Sequence, residues 1–132
     1  MTGKKILIVD QDADALDMMC GTLERMGNAI LRSRDADNAL ALFAANRPLE
    51  LAIVAIHLQR MDGLDLGRTM GLNQPGLRIL YVSGSISDAA VLLREKKLPP
   101  YGYFLHKPFL PKQLLEMIGV MLLAESGSLA KL

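Results

Sequence analysis

Apolar and polar positions fall in blocks along this chain, and the blocks switch between strand and helix spacing. Ile6-Leu7-Ile8-Val9 is a short β-branched apolar run, the pattern of a strand covered on both faces. From Asp12 onward Leu16, Cys20 and Leu23 recur at helical spacing, with Asp14, Asp17 and Glu24 on other faces. Asp12 suits the N-cap of this helix and Gly27 its C-cap. Ala29-Ile30-Leu31 begins a weaker second strand. Ala36 to Asn46 predicts a second helix, with Asp35 or Asp37 near its start and Pro48 stopping it. Leu51 to Ile56 is the most apolar run and predicts a central third strand. Met61-Asp62-Gly63 reads as a turn, followed by a short helix from Leu64 to Gly71. Leu77 to Val82 is the fourth strand. A Ser- and Gly-rich loop, Ser83 to Ser87, leads to a fourth helix that Pro99-Pro100 must end. Tyr101 to Leu105 is the fifth strand. Pro111 suits a first helical position, and Leu114, Ile118, Met121 and Leu122 form the inner face of a fifth helix.

Five strand–helix units predict an open parallel sheet with helices on both faces, joined by right-handed crossovers. A chain of 132 residues suits one domain, expected over 1–124, with 125–132 a tail that frays or begins a linker. Hydrophobic residues make up 51% of the chain and charged ones 22%, which excludes intrinsic disorder. Fifteen Lys and Arg against fourteen Asp and Glu give a net charge of +1, so composition implies no nucleic-acid face. The single cysteine, Cys20, excludes an internal disulfide and a cysteine-based zinc site, and suits a reducing, cytoplasmic setting. No apolar run reaches the roughly 18 residues that span a bilayer, and none near Lys4-Lys5 suits a signal peptide.

Ligands of such sheets sit beyond the carboxyl ends of the strands. The residues there are Asp10-Gln11-Asp12, Ala55-Ile56-His57, Ser83-Gly84 and His106-Lys107-Pro108. Together with Met61-Asp62-Gly63-Leu64-Asp65-Leu66, Tyr81-Val82-Ser83-Gly84 and Lys107-Pro108-Phe109, these positions resemble a receiver domain of two-component response regulators. The likeness covers the chain from about Lys5 to Leu123. It implies a flavodoxin-like (βα)5 doubly wound sheet with strand order 2-1-3-4-5. It also implies phosphoryl transfer from a histidine kinase to an aspartate, with Mg²⁺ bound. Carried over residue by residue, Asp10 matches the first acidic position, Ser83 the hydroxyl position and Lys107 the lysine. Phe104 matches the switch aromatic that moves with Ser83. The Lys107–Pro108 peptide is expected to be cis.

Two matches fail. Counting back from Met61-Asp62-Gly63, the phosphoacceptor position is Ala55, which carries no nucleophile. The second acidic position, usually a direct metal ligand, is Gln11. The loop proline of the family is Gln59 here. His57 holds the position that lends the metal a backbone carbonyl, and that carbonyl survives any side-chain change. A receiver of the usual form crowds several carboxylates, and two unit charges about 5 Å apart repel by about 3 kcal/mol at an effective dielectric of about 20. Here only Asp10 remains in place, with Asp12 nearby, so Lys107 is expected to pair with Asp10 directly. The expected Mg²⁺ binding at Asp10 is weak at best, and no other cofactor is expected.

These residues imply a degenerate, non-enzymatic receiver acting as an interaction module. The resemblance places its partner, a histidine kinase, output domain or other signalling protein, on the face of helix four, strand five and helix five. Homodimerisation through that face stays open; direct nucleic-acid or membrane binding is not expected. A second reading is an ordinary phosphorelay receiver with an engineered acceptor, against which Gln11, His57 and Gln59 all count. A third is a small-ligand or nucleotide binder on the same architecture, although the loop Asp10-Gln11-Asp12-Ala13 has no glycine to cradle a phosphate. His57 with Asp10 and Asp12 offers a transition-metal set, against the plainer reading of a surface imidazole. His106 is expected to point away from Lys107, Cys20 to lie in the core, and Arg94 to Lys97 to form a solvated helix end.

Overall fold

The computed structural model describes residues 3–85 and 102–125. The predicted fourth helix with its Arg94–Lys97 cluster, Tyr101 and the tail at 126–132 lie outside the described residues. Five strands are present: β1 (Lys5–Val9), β2 (Ala29–Ser33), β3 (Leu51–Ala55), β4 (Arg78–Ser83) and β5 (Gly102–His106). The described helices are α1 (Ala13–Arg25), α2 (Ala36–Asn46), α3 (Gly63–Asn73) and α4 (Pro111–Glu125), the last being the helix expected fifth. All strand pairs are parallel, in the order β2-β1-β3-β4-β5.

Local chemistry sets the element ends. Asp12 caps α1, its carboxylate accepting the Asp14 and Ala15 amides at 3.0 and 3.3 Å. The C-cap is Met26 rather than Gly27. Gly27 comes one residue later at φ +87°, where the turn out of the helix requires a left-handed residue. Asp35 caps α2 through the Asn38 amide, and Asp62 caps α3 through the Leu64 amide. α3 starts at Gly63 and passes Gly71 to reach Asn73, because Leu66 and Met70 hold it to the sheet. β2 extends to Ser33 and β4 to Ser83, since both residues pair with a neighbouring strand, as Val9↔Ser33 and Ser83↔His106.

Period-two alternation sorts the strand residues onto two cores. Ile6, Ile8, Ile53, Ala55, Leu80 and Val82 face α1 and α4, where Leu16, Cys20, Leu23, Leu114, Ile118 and Met121 meet them. Leu7, Val9, Ala52, Val54, Ile79 and Tyr81 face α2 and α3, where Ala39, Phe43, Leu66 and Met70 meet them. Cys20 is buried in the first core, and that burial pushes its thiol pKa up. No described helix is long and apolar enough to cross a membrane.

Candidate functional site

The sheet register gathers the candidate residues at one edge. Val9 pairs with Val54, and Ala55 with Val82, so Asp10 and Ala55 follow side by side at the carboxyl ends of β1 and β3. Ser83 pairs with His106, which brings Lys107 to the end of β4. The Lys107 amide donates to the Ser83 carbonyl at 2.7 Å and fixes that junction. The Lys107–Pro108 peptide is cis.

Asp10 is the buried charge of this edge, with a relative exposure of 1%. Its Oδ1 accepts the Asp12 amide at 3.0 Å. Its Oδ2 lies 2.6 Å from Lys107 Nζ, an ion pair in which the lysine side chain is 21% exposed and the carboxylate 1%. That contact lacks regular hydrogen-bond geometry at Oδ2, so the lysine serves there as an ionic partner. Ala55 is buried beside this pair with only a methyl group to offer. Ser83 is also buried, and its hydroxyl accepts the Ser85 amide at 3.1 Å.

The loop after β3 folds tightly over the strand end. The Gly63 amide donates to the Ile56 carbonyl at 2.8 Å, and a Cβ on Gly63 would stand 2.0 Å from the Ala55 carbonyl oxygen. Only glycine permits that approach. Arg60 turns the loop at φ 71° and pairs with Asp37 at the surface. His57 and Gln11 have exposed side chains. Among the described residues no three His, Cys, Asp or Glu side chains group as a metal site, so the set of His57 with Asp10 and Asp12 does not form. His106 Nε2 meets the Gly84 carbonyl at 3.3 Å, clear of the ion pair. Phe104 packs against the core of the α2–α3 face.

Two open clefts lie at this edge, and Asp12 lines both. One, about 480 Å³, runs between the start of α1 and the Lys107–Phe109 turn, lined by Ala15, Met18, Gly84 and Phe109 among others. The other, about 530 Å³, is lined by Gln11, Asp12, Arg34, Asp35 and Gln59. Reading the sequence alone does not single out Arg34. Its Nε and Nη2 donate to the Gln11 carbonyl at 3.3 and 2.9 Å. The signal was available in the strand order, because β2 beside β1 puts the residue after Ser33 next to the residues after Val9.

Comparison with known proteins agrees with this geometry. The response regulator receiver domain family matches residues 6–119. The nitrogen assimilation regulatory protein NtrX of Azorhizobium caulinodans is 36% identical over 108 residues, which are 79% of this chain and 23% of that protein. This chain therefore spans about a quarter of the length of that relative. The response regulator receiver protein CpdR of Brucella abortus is 29% identical, over 92% of this chain and 98% of its own. A CheY-like receiver domain crystal structure from Methanospirillum hungatei superposes with a TM-score of 0.78 at 29% identity, covering 96% of this chain and 98% of that one. With the sheet order and these matches in agreement, this chain belongs to the response regulator receiver domain family.

Proposed function

We propose that this domain is a pseudo-receiver that signals by protein–protein contact, without accepting a phosphoryl group. Receiver domains serve two-component signalling, interact with kinases and output domains, and commonly bind Mg²⁺ at the phosphorylation site. The observation that carries the proposal is Ala55 at the end of β3, the position read as the acceptor, beside an Asp10 already paired with Lys107. A methyl group cannot attack phosphorus. The Ser83 hydroxyl accepts the Ser85 amide, a hydrogen bond that holds it within its own loop. The domain works in the cytoplasm, and its partner is a histidine kinase, an output domain or another signalling protein. The docking face includes β5 and α4, where Val120 and Leu123 present apolar side chains to solvent.

Intact-mass measurement after incubation with acetyl phosphate and Mg²⁺ tests this reading. The parent chain should gain no adduct. The Ala55→Asp, Gln11→Asp double variant should gain one phosphoryl group. A phosphoryl adduct on the parent would mean that another side chain accepts phosphate, and the proposal would fall.

A further inference from the structure

Mg²⁺ demands near-octahedral oxygen ligation, with carboxylates supplying its charge. The residues at this edge do not fit that ion. Among the described residues Asp10 is its one buried carboxylate, and both of its oxygens are engaged, by the Asp12 amide and by Lys107. Asp12 and Asp35, which line the adjoining cleft, cap α1 and α2 through Oδ1. Ala55 offers no side-chain oxygen. The Gln11 carbonyl is already taken by a cation, the Arg34 guanidinium.

We infer that Arg34 and Lys107 act together as built-in cations, Lys107 on the buried Asp10 and Arg34 on the Gln11–Asp12 turn, so that the places a divalent cation would use are filled by the chain itself. Lys107 neutralises Asp10 from the β5 side. Arg34 fixes the Gln11–Asp12 turn from the β2 side and keeps a positive charge in the cleft that the Gln11 side chain lines. Arg34 is a positioning residue here: it acts through the turn and through its charge. The consequence is that restoring the missing acids would bring back metal binding only in a weakened form, one that excess Mg²⁺ still fills in the phosphorylation test. An aspartate at position 11 would meet Arg34 in that cleft, and the guanidinium would compete with the metal for it. This inference rests on reading the pocket as a degenerate receiver pocket.

Mg²⁺ titration calorimetry on a set of variants tests it. The background is the Ala55→Asp, Gln11→Asp double variant. Adding Arg34→Gln should tighten Mg²⁺ binding by about fivefold or more, the size expected for removing one positive charge near a divalent ion. Adding Arg34→Lys, which keeps the charge, should recover no more than a small part of that gain. Adding Arg25→Gln, at the other end of α1, removes a charge remote from the cleft and should leave the affinity unchanged. Arg34 is exposed, so the variants retain the fold, which circular dichroism verifies. Equal affinity with and without Arg34 would overturn the inference while leaving the pseudo-receiver reading intact. A phosphoryl adduct on the parent would overturn that reading while the titration still reports on Arg34.

Discussion

Two buried polar groups lie on neighbouring parts of this sheet, and the chain treats them differently. Asp10, at the carboxyl edge, has both carboxylate oxygens occupied. Tyr81, two residues before the end of β4, is fully buried on the α3 side, and its hydroxyl has no hydrogen-bond partner among the described residues. It abuts Gly67 so closely that a Cβ there would fall 2.0 Å from the hydroxyl oxygen. A buried carboxylate left unpaired costs several kcal/mol, so it must be met. A neutral hydroxyl costs about 1–3 kcal/mol when unpaired, which the burial of a large ring offsets. The fold therefore spends a lysine on Asp10 and only a glycine on Tyr81. With glutamine at position 11 and alanine at position 55 the carboxyl edge holds fewer acids, and it still has to satisfy the one that is buried.

The largest expected effect breaks the charged side of this contrast. Lys107→Met leaves Asp10 buried without its cation and should destabilise the domain by about 3 kcal/mol, the low end for a buried pair because the lysine is partly exposed. Adding Asp10→Asn should recover most of that loss, since both charges are then gone. Urea denaturation of the two variants measures this; a Lys107→Met midpoint equal to that of the parent would mean the pair contributes nothing.

The packing side comes next. Gly67→Ala forces a methyl group into the Tyr81 ring edge and should cost about 2 kcal/mol. Tyr81→Phe removes the nearest atom but leaves ring carbons at 2.8 and 3.0 Å, so it should relieve the clash only in part. A double-mutant cycle that proves additive would separate the two residues energetically.

The smallest effect concerns the hydroxyl alone. Tyr81→Phe should raise stability by about 1 kcal/mol, because it deletes an unsatisfied group. The same burial pushes the Tyr81 pKa up from its ordinary value of 10.0, with Asp62 adding to the rise and Arg68 opposing it. An unfolded tyrosine loses its proton near pH 10 while the folded one keeps it, so this contribution to stability is whole below that pH and falls as pH rises above it. Melting temperatures between pH 8 and 11 should therefore drop more steeply for the parent than for Tyr81→Phe. Parallel curves would show that the hydroxyl is solvated in the folded state.

Much of this was legible in the residues themselves. The β-branched runs, the Asp12 and Asp35 caps and the breaks at Gly and Pro fixed the element order, because these are local effects of backbone and side-chain chemistry. α2 spans the predicted Ala36–Asn46. Ala55 and Gln11 could be placed by counting from Met61-Asp62-Gly63, because strand ends and turns keep their spacing. The edges of α3 and β4 were less legible: Gly71 weakens a helix locally but is outvoted by Leu66 and Met70, and Ser83 joins β4 only because β5 pairs with it.

What the sequence determined was the alternation of elements, the two-sided burial of the central strands and which side chains stand at the carboxyl edge. Each follows from residue type at fixed spacing. The tertiary structure decided which cation meets which group. The Lys107–Asp10 pair is expected from the family resemblance, whereas Arg34 reaches the Gln11 carbonyl from β2, over a separation of 23 residues, with nothing in the sequence pattern to announce it. Tyr81 and Gly67 likewise meet only through the docking of α3 on β4. Contacts of this kind depend on strand register and helix placement together, and no local pattern in the chain encodes them.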